Sequence, residues 1–321
     1  MSERIKWIDH AKGIAAALVL IGHFAPVRLL QIFIYSFHMP LFFFLAGVTF
    51  KNQQVGLGTF INRKFKQIMV PYFIFVIPMF VMKCLQDIGD KNVKLLIKQF
   101  IGIFFCWKGT ALYSGVWFLP CMFVVYILAW GGGQLQSIAQ RMVATIIAAT
   151  IGFVLAEFNL TLPFGADTAL VAVAFFESGT MLKKYEKIVD EKYMAAYIVI
   201  TLTLSILNFK LCGQRIEMYS CDYGNMLLFV IASFSGIMGT VTLAKKLADN
   251  RLLEKMGKSA MYLYGAQLVP FSIYSRMYIA GSVTKVVIGM LTVIIIGSIL
   301  LLIKPLYDKL VVKCCHSLKL D

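Results

Sequence analysis

The chain has 321 residues, 60% of them hydrophobic and only 15% charged, with a formal charge of +15. A soluble globular chain is about half apolar and about a quarter charged, so this composition excludes an ordinary soluble domain. The basic residues fall mostly in short gaps between apolar runs, which makes membrane topology, not a nucleic-acid partner, the reading of the charge.

Apolar runs of about twenty residues can cross a hydrocarbon core of roughly 30 Å as helix, and lipid obliges each run to satisfy its own backbone polar groups. In chain order the pattern predicts ten spans, at about 11–28, 32–50, 68–86, 116–131, 142–158, 163–181, 193–211, 222–242, 257–278 and 283–304. Residues 87–115 form the long connection, and Val93 to Trp107 within it reads as an amphipathic helix at the membrane surface. With the N-terminus in the cytoplasm, 21 of the 31 lysines and arginines fall on that side, and the even number of spans returns the C-terminus to it. The fold class expected is therefore all-α: a polytopic helical bundle of one membrane domain, residues 1–321, with no soluble domain, multi-pass in the cell membrane. Of the seven cysteines, Cys212 and Cys221 flank one short loop and can pair if that loop faces outside. None of the seven has metal-like spacing.

Ionisable groups at membrane depth are costly and face a cavity or a partner. His23 lies eleven residues after Lys12, about 16 Å further along a helix. His38 sits some six residues inside the outer end of the second span, so two antiparallel spans bring both histidines to the outer third of the membrane. Trp117, Asp167 and Asn225 each begin a span on that side. The inner face is basic, with Lys12, then Arg63, Lys64 and Lys66 ahead of Pro71-Tyr72, and Lys258, a charge pattern suited to phosphates. Glu177 lies within the sixth span near its inner end. The plain readings are a hydrogen-bonding histidine, positive-inside anchors, a carboxylate paired with Lys183 or Lys184, and an interfacial tryptophan.

The run from Trp7-Ile8-Asp9-His10-Ala11-Lys12-Gly13 to Gly22-His23 resembles the first helix of the acyltransferase-3 family, membrane-embedded O-acyltransferases of about ten spans. That helix carries a basic residue, ten others and then a histidine. Phe37-His38-Met39-Pro40-Leu41-Phe42-Phe43-Phe44-Leu45-Ala46-Gly47 is similar to the family's second helix, and Arg63-Lys64-Phe65-Lys66 with Pro71-Tyr72 to its third. Weaker likenesses follow in the family's order, through Trp117-Phe118-Leu119-Pro120, Leu162-Pro163-Phe164, Tyr223-Gly224-Asn225 and Met256-Gly257-Lys258-Ser259. The resemblance covers about residues 5–265 and is nearest the fucose 4-O-acetylase branch. One departure is Gln267, where many relatives have a histidine.

The resemblance implies acetyl-CoA as acyl donor, supplied from the cytoplasm, and a hydroxyl of a sugar or cell-envelope glycan as acceptor, with no metal. It would place the nucleotide end of CoA on Arg63 and Lys66, with Lys12, and extend the pantetheine arm towards His23. A neutral hydroxyl is a poor nucleophile and imidazole is the usual base for it, so His23 is the expected base. His38 would orient His23, hold the acceptor or stabilise the oxyanion. Asp167 or Glu177 would fix a histidine tautomer, and the sequence does not choose between them; Trp117 and Asn225 complete the supporting set. The competing reading is a transporter of a sugar, lipid-linked intermediate or small metabolite, but the inverted repeats and paired broken helices common in transporters are not evident in the sequence.

Overall fold

A computed structural model describes residues 6–24, 27–51, 55–86, 93–108, 115–185, 190–247, 250–268 and 282–317. In chain order the longer helices are α1 (Lys6–Phe24), α2 (Arg28–Tyr35), α3 (His38–Thr49), α4 (Leu57–Lys64), α5 (Val70–Gln86), α6 (Val93–Phe105) and α7 (Phe118–Gly132). They continue with α8 (Ile138–Glu157), α9 (Ala166–Tyr185), α10 (Met194–Cys212), α11 (Met226–Lys246), α12 (Arg251–Lys258), α13 (Ala260–Ala266) and α14 (Ser282–Ser317). A π-helical turn, Phe65–Met69, joins α4 to α5. Among the described residues there is no β-strand; one isolated antiparallel bridge pairs Glu217 with Asp222.

The chain forms two compact units. One holds the residues up to Phe50, Phe175–Met218 and Asp222–Lys304; the other holds Lys51–Ala174, Tyr219–Cys221 and the residues from Pro305. In the first, α1 packs against α12, α11, α3 and α13, and α10 packs against α11 and α2. In the second, the π turn packs against α4, α5 and α7, and α5 packs against α6.

Among the described residues, six helical stretches are long and apolar enough to cross a membrane: Arg28–Thr49, Leu57–Val81, Ile138–Glu157, Glu191–Cys212, Met226–Lys246 and Val287–His316. Ten were expected, and three causes account for the difference. α1 carries Lys6, Asp9 and Lys12, and α9 carries Asp167, Glu177, Lys183 and Lys184, so both are too charged to stand out on composition. α7 is apolar but only 15 residues long. The expected span at 257–278 runs past Leu268 out of the described residues, as do parts of the 87–115 connection. A helix is present within the expected Val93–Trp107 stretch, as α6, with Ile97, Phe100, Ile101, Phe104 and Phe105 exposed along it.

The expected span at 32–50 is broken at Ser36–Phe37, between α2 and α3. Ser233 of α11 donates to the Ser36 carbonyl at 2.7 Å, satisfying a backbone acceptor at the break. Two close crossings fix the helices around it. A Cβ on Gly47 of α3 would overlap the backbone carbonyl of Phe176, and a Cβ on Gly179 of α9 would overlap that of Phe44. The second crossing repeats the arrangement: Gly13 of α1 lies against the Leu253 carbonyl, and Gly257 of α12 against the Asp9 carbonyl. Small residues let helix backbones meet in lipid, where hydrophobic exclusion does not drive helices together.

Gly47→Ala and Gly257→Ala are therefore expected to lower stability by at least about 1–3 kcal/mol, because backbone, not a side-chain end, has to move. Gly131→Ala, with nothing within 4 Å of its Cβ, is expected to leave the melting temperature unchanged or raise it. Thermal unfolding of the three variants in detergent checks the contrast.

Candidate active site

Both histidines lie in the first unit. His38 is the first residue of α3, just after the break, and is 4% exposed. Its Nδ1–H donates to the carbonyl of Ile34 at 2.8 Å, because a carbonyl oxygen only accepts. That bond leaves Nε2 of the neutral ring as the acceptor. The Tyr35 ring stands edge-on to His38, with centroids 4.9 Å apart. His23, in the last turn of α1, is partly exposed. Beside it, the bare Cα of Gly22 leaves room for the Tyr35 ring, which a Cβ there would meet at 3.2 Å.

Arg215, on the segment after α10, completes this end of the unit. Its guanidinium stacks 3.9 Å from the Tyr35 ring centroid, donates to Gln31 Oε1 at 3.1 Å and pairs with Glu217 at 3.1 Å. Gln31 in turn donates to the carbonyl of Gly22 at 3.1 Å. The Tyr35 ring thus meets both the Arg215 guanidinium and the His38 imidazole. Two imidazoles beside a fixed guanidinium supply an acid–base group and a positive charge for a developing oxyanion.

Lys12 stands on the same helix as His23, some 16 Å away along its axis. Glu177 is 4% exposed and accepts from Thr180 Oγ1 at 3.3 Å. Asn225 caps α11: its side chain accepts from Leu228 N–H, and Asn208 anchors its own N–H. The sequence offered Asp167 or Glu177 to set a histidine tautomer; for His38 the Ile34 carbonyl does so instead.

The remaining candidates lie in the second unit. Asp167 is 1% exposed, and its Oδ2 accepts from Lys108 Nζ at 2.7 Å. Lys108 also reaches Thr168 Oγ1 at 2.8 Å and Cys221 Sγ at 3.0 Å, so all three ammonium donors are used. Cys212 and Cys221 are not joined in a disulfide. Trp117 is buried, tilted towards Tyr219 at 6.3 Å. In the basic segment, Lys64 lies 3.7 Å from the Tyr126 ring centroid and donates to Gln67. Arg63 is exposed, and Lys66 sits in the π turn, a departure from α-helix often found at functional sites. Sequence reading missed Arg215, Gln31 and Tyr35 as site residues, and the Lys108–Asp167–Cys221 cluster. No local pattern signals them, since their partners are remote in the chain.

Helices of this length and apolarity, with titratable side chains set among them, make the chain a multi-pass membrane protein. It belongs to the acyltransferase-3 family: the family's model, described as an acyltransferase domain, matches residues 5–303. Membership makes it a membrane acyltransferase, acting on groups other than aminoacyl groups. No curated protein and no solved structure matches the chain.

Burial works against the Lys108 ammonium, but Cys221 and Asp167 facing it hold its pKa above the ordinary lysine value. A raised pKa gives stability that is full below the unfolded value, about 10.4, and lost as pH rises through the native one. Lys108→Met strands a buried carboxylate and is expected to cost about 3–5 kcal/mol; Lys108→Met with Asp167→Leu should recover much of that. Melting temperatures of single and double variants, with an alkaline titration of the native chain, check both statements.

Proposed function

We propose that the protein is an O-acetyltransferase that moves the acetyl group of acetyl-CoA to a hydroxyl of a sugar or cell-envelope glycan. It would work in the bacterial cytoplasmic membrane with both termini in the cytoplasm, in the manner of the fucose 4-O-acetylase branch. The observation that carries this reading is the histidine pair in the first unit, held beside a fixed guanidinium. Acetyl-CoA supplies the activated thioester. His23 takes the proton of the acceptor hydroxyl as its oxygen bonds to the acetyl carbonyl carbon. Arg215 faces the negative charge that gathers on the carbonyl oxygen, and Nε2 of His38, an acceptor, holds the acceptor substrate through one of its hydroxyls. When the C–S bond breaks, the proton held by His23 goes to the departing thiolate, and the ester is released.

The basic segment suits the anionic end of CoA. Arg63 is exposed and Lys66 partly so, and the Tyr126 ring beneath Lys64 holds one cation of the set in place. Arg63 and Lys66 would take the phosphates, and Lys12 would add charge at the opposite end of α1 from His23. Trp117, Asp167, Glu177 and Asn225 are assigned supporting roles in their respective units.

His23→Ala is expected to cut acetyl transfer by about 10²–10⁴-fold while leaving thermal stability near wild type. Purified protein with labelled acetyl-CoA and a panel of sugars, scored for labelled ester, is the assay; wild-type turnover in the variant removes His23 from the chemistry. Replacing Arg63 and Lys66 together with alanine is expected to raise KM for acetyl-CoA several-fold with little change in KM for the acceptor. An unchanged donor KM returns both residues to anchoring.

A further inference from the structure

Beside the histidine pair, at the His23 end of α1, the first unit contains a cavity of about 520 Å³, bounded by Arg28, Gln31, Phe209, Gln214 and Arg215 among others. That volume is within the range of small-molecule sites. The residues that bound it include two guanidiniums and no carboxylate; Glu217 pairs with one of the two, Arg215, and Arg28 carries the other charge. Arg28 lies 4.8 Å from the Phe209 ring centroid, and among the described residues no carboxylate pairs with it. A guanidinium held flat on a ring keeps its fork of N–H donors available at low entropic loss. Arg215 is held by Gln31, Glu217 and Tyr35. The same two partners carry the cavity wall to the reacting end of the unit: Gln31 bonds to the Gly22 carbonyl, next to His23, and Tyr35 contacts His38.

We propose that this cavity is the acceptor subsite, and that it selects a glycan bearing an oxyanion, a carboxylate or a phosphate, next to the hydroxyl that is acylated. The inference rests on the acyl-transfer reading above and adds the charge class of the acceptor. The planar fork of Arg28 matches the bidentate geometry of carboxylate and phosphate, and Arg215, held through its terminal nitrogens by Gln31 and Glu217, adds positive charge to the same volume. The Phe209 ring and the Gln31 and Gln214 amides offer a sugar its apolar face and its hydroxyl partners, which a bare lipid phosphate does not need.

The test uses the full chain in phosphatidylcholine nanodiscs, with glucose, glucuronate and glucose 6-phosphate as probes and binding read by ligand-detected NMR. Glucuronate or glucose 6-phosphate is expected to bind at least about tenfold more tightly than glucose, the scale of one charge-assisted contact. Arg28→Gln should remove that preference, and Arg28→Lys should restore part of it. His23→Ala should bind glucuronate as wild type does while losing acetyl transfer, which separates failure of the chemistry from failure of the subsite. Equal affinity for glucose and both anions overturns the proposal and leaves acyl transfer standing. Loss of glucuronate binding when phosphatidylglycerol is added, absent in Arg28→Gln, also overturns it, because the cavity is then a lipid-headgroup site.

Discussion

Helices dissolved in lipid gain nothing from hiding apolar side chains from each other, since the acyl chains are equally apolar. In the first unit the close approach of backbones holds helices together. At Gly47 with Gly179, and again at Gly13 with Gly257, each helix offers a bare Cα to the carbonyl of its neighbour. The contacts are reciprocal, so each crossing is pinned at two levels and cannot slide without a clash. α3, which begins with His38, is held by one crossing, and α1, which carries His23 near its end, by the other. The positions of the two imidazoles are consequences of four missing side chains.

Several polar groups inside the units are tied to specific partners. Ser233 serves the broken backbone at Ser36, the Ile34 carbonyl takes the His38 proton, and Lys108 divides its three donors among Asp167, Thr168 and Cys221. An ammonium or a carboxylate left without such ties in a dry interior would cost several kcal/mol. Arg63, in the basic segment, is by contrast exposed.

Much of this was legible in the sequence. Apolar runs give the helices their places, and α6 shows its helical character in the spacing of its aromatic and aliphatic residues. The eleven-residue step from Lys12 to His23 sets both on one helix, near opposite ends. The break before His38 was not legible, because its stabilising partner, Ser233, is 197 residues away. The π turn at Phe65–Met69 leaves no mark in composition, and charges in α1 and α9 disguise helices that a hydropathy count passes over. Lys108 reads as one more basic residue in a long connection, and Cys221 as a disulfide candidate, until the fold brings Asp167 and Thr168 to them. Arg215 is similarly anonymous until Tyr35 and Gln31 meet it.

The bond from His38 to the Ile34 carbonyl has a consequence for proton traffic. An imidazole can pass a proton through itself, in at one nitrogen and out at the other, only if both are at liberty to exchange. Here one nitrogen is committed to a main-chain oxygen that also receives the Phe37 N–H. The ring is a terminus rather than a wire: a proton taken up at Nε2 leaves by Nε2.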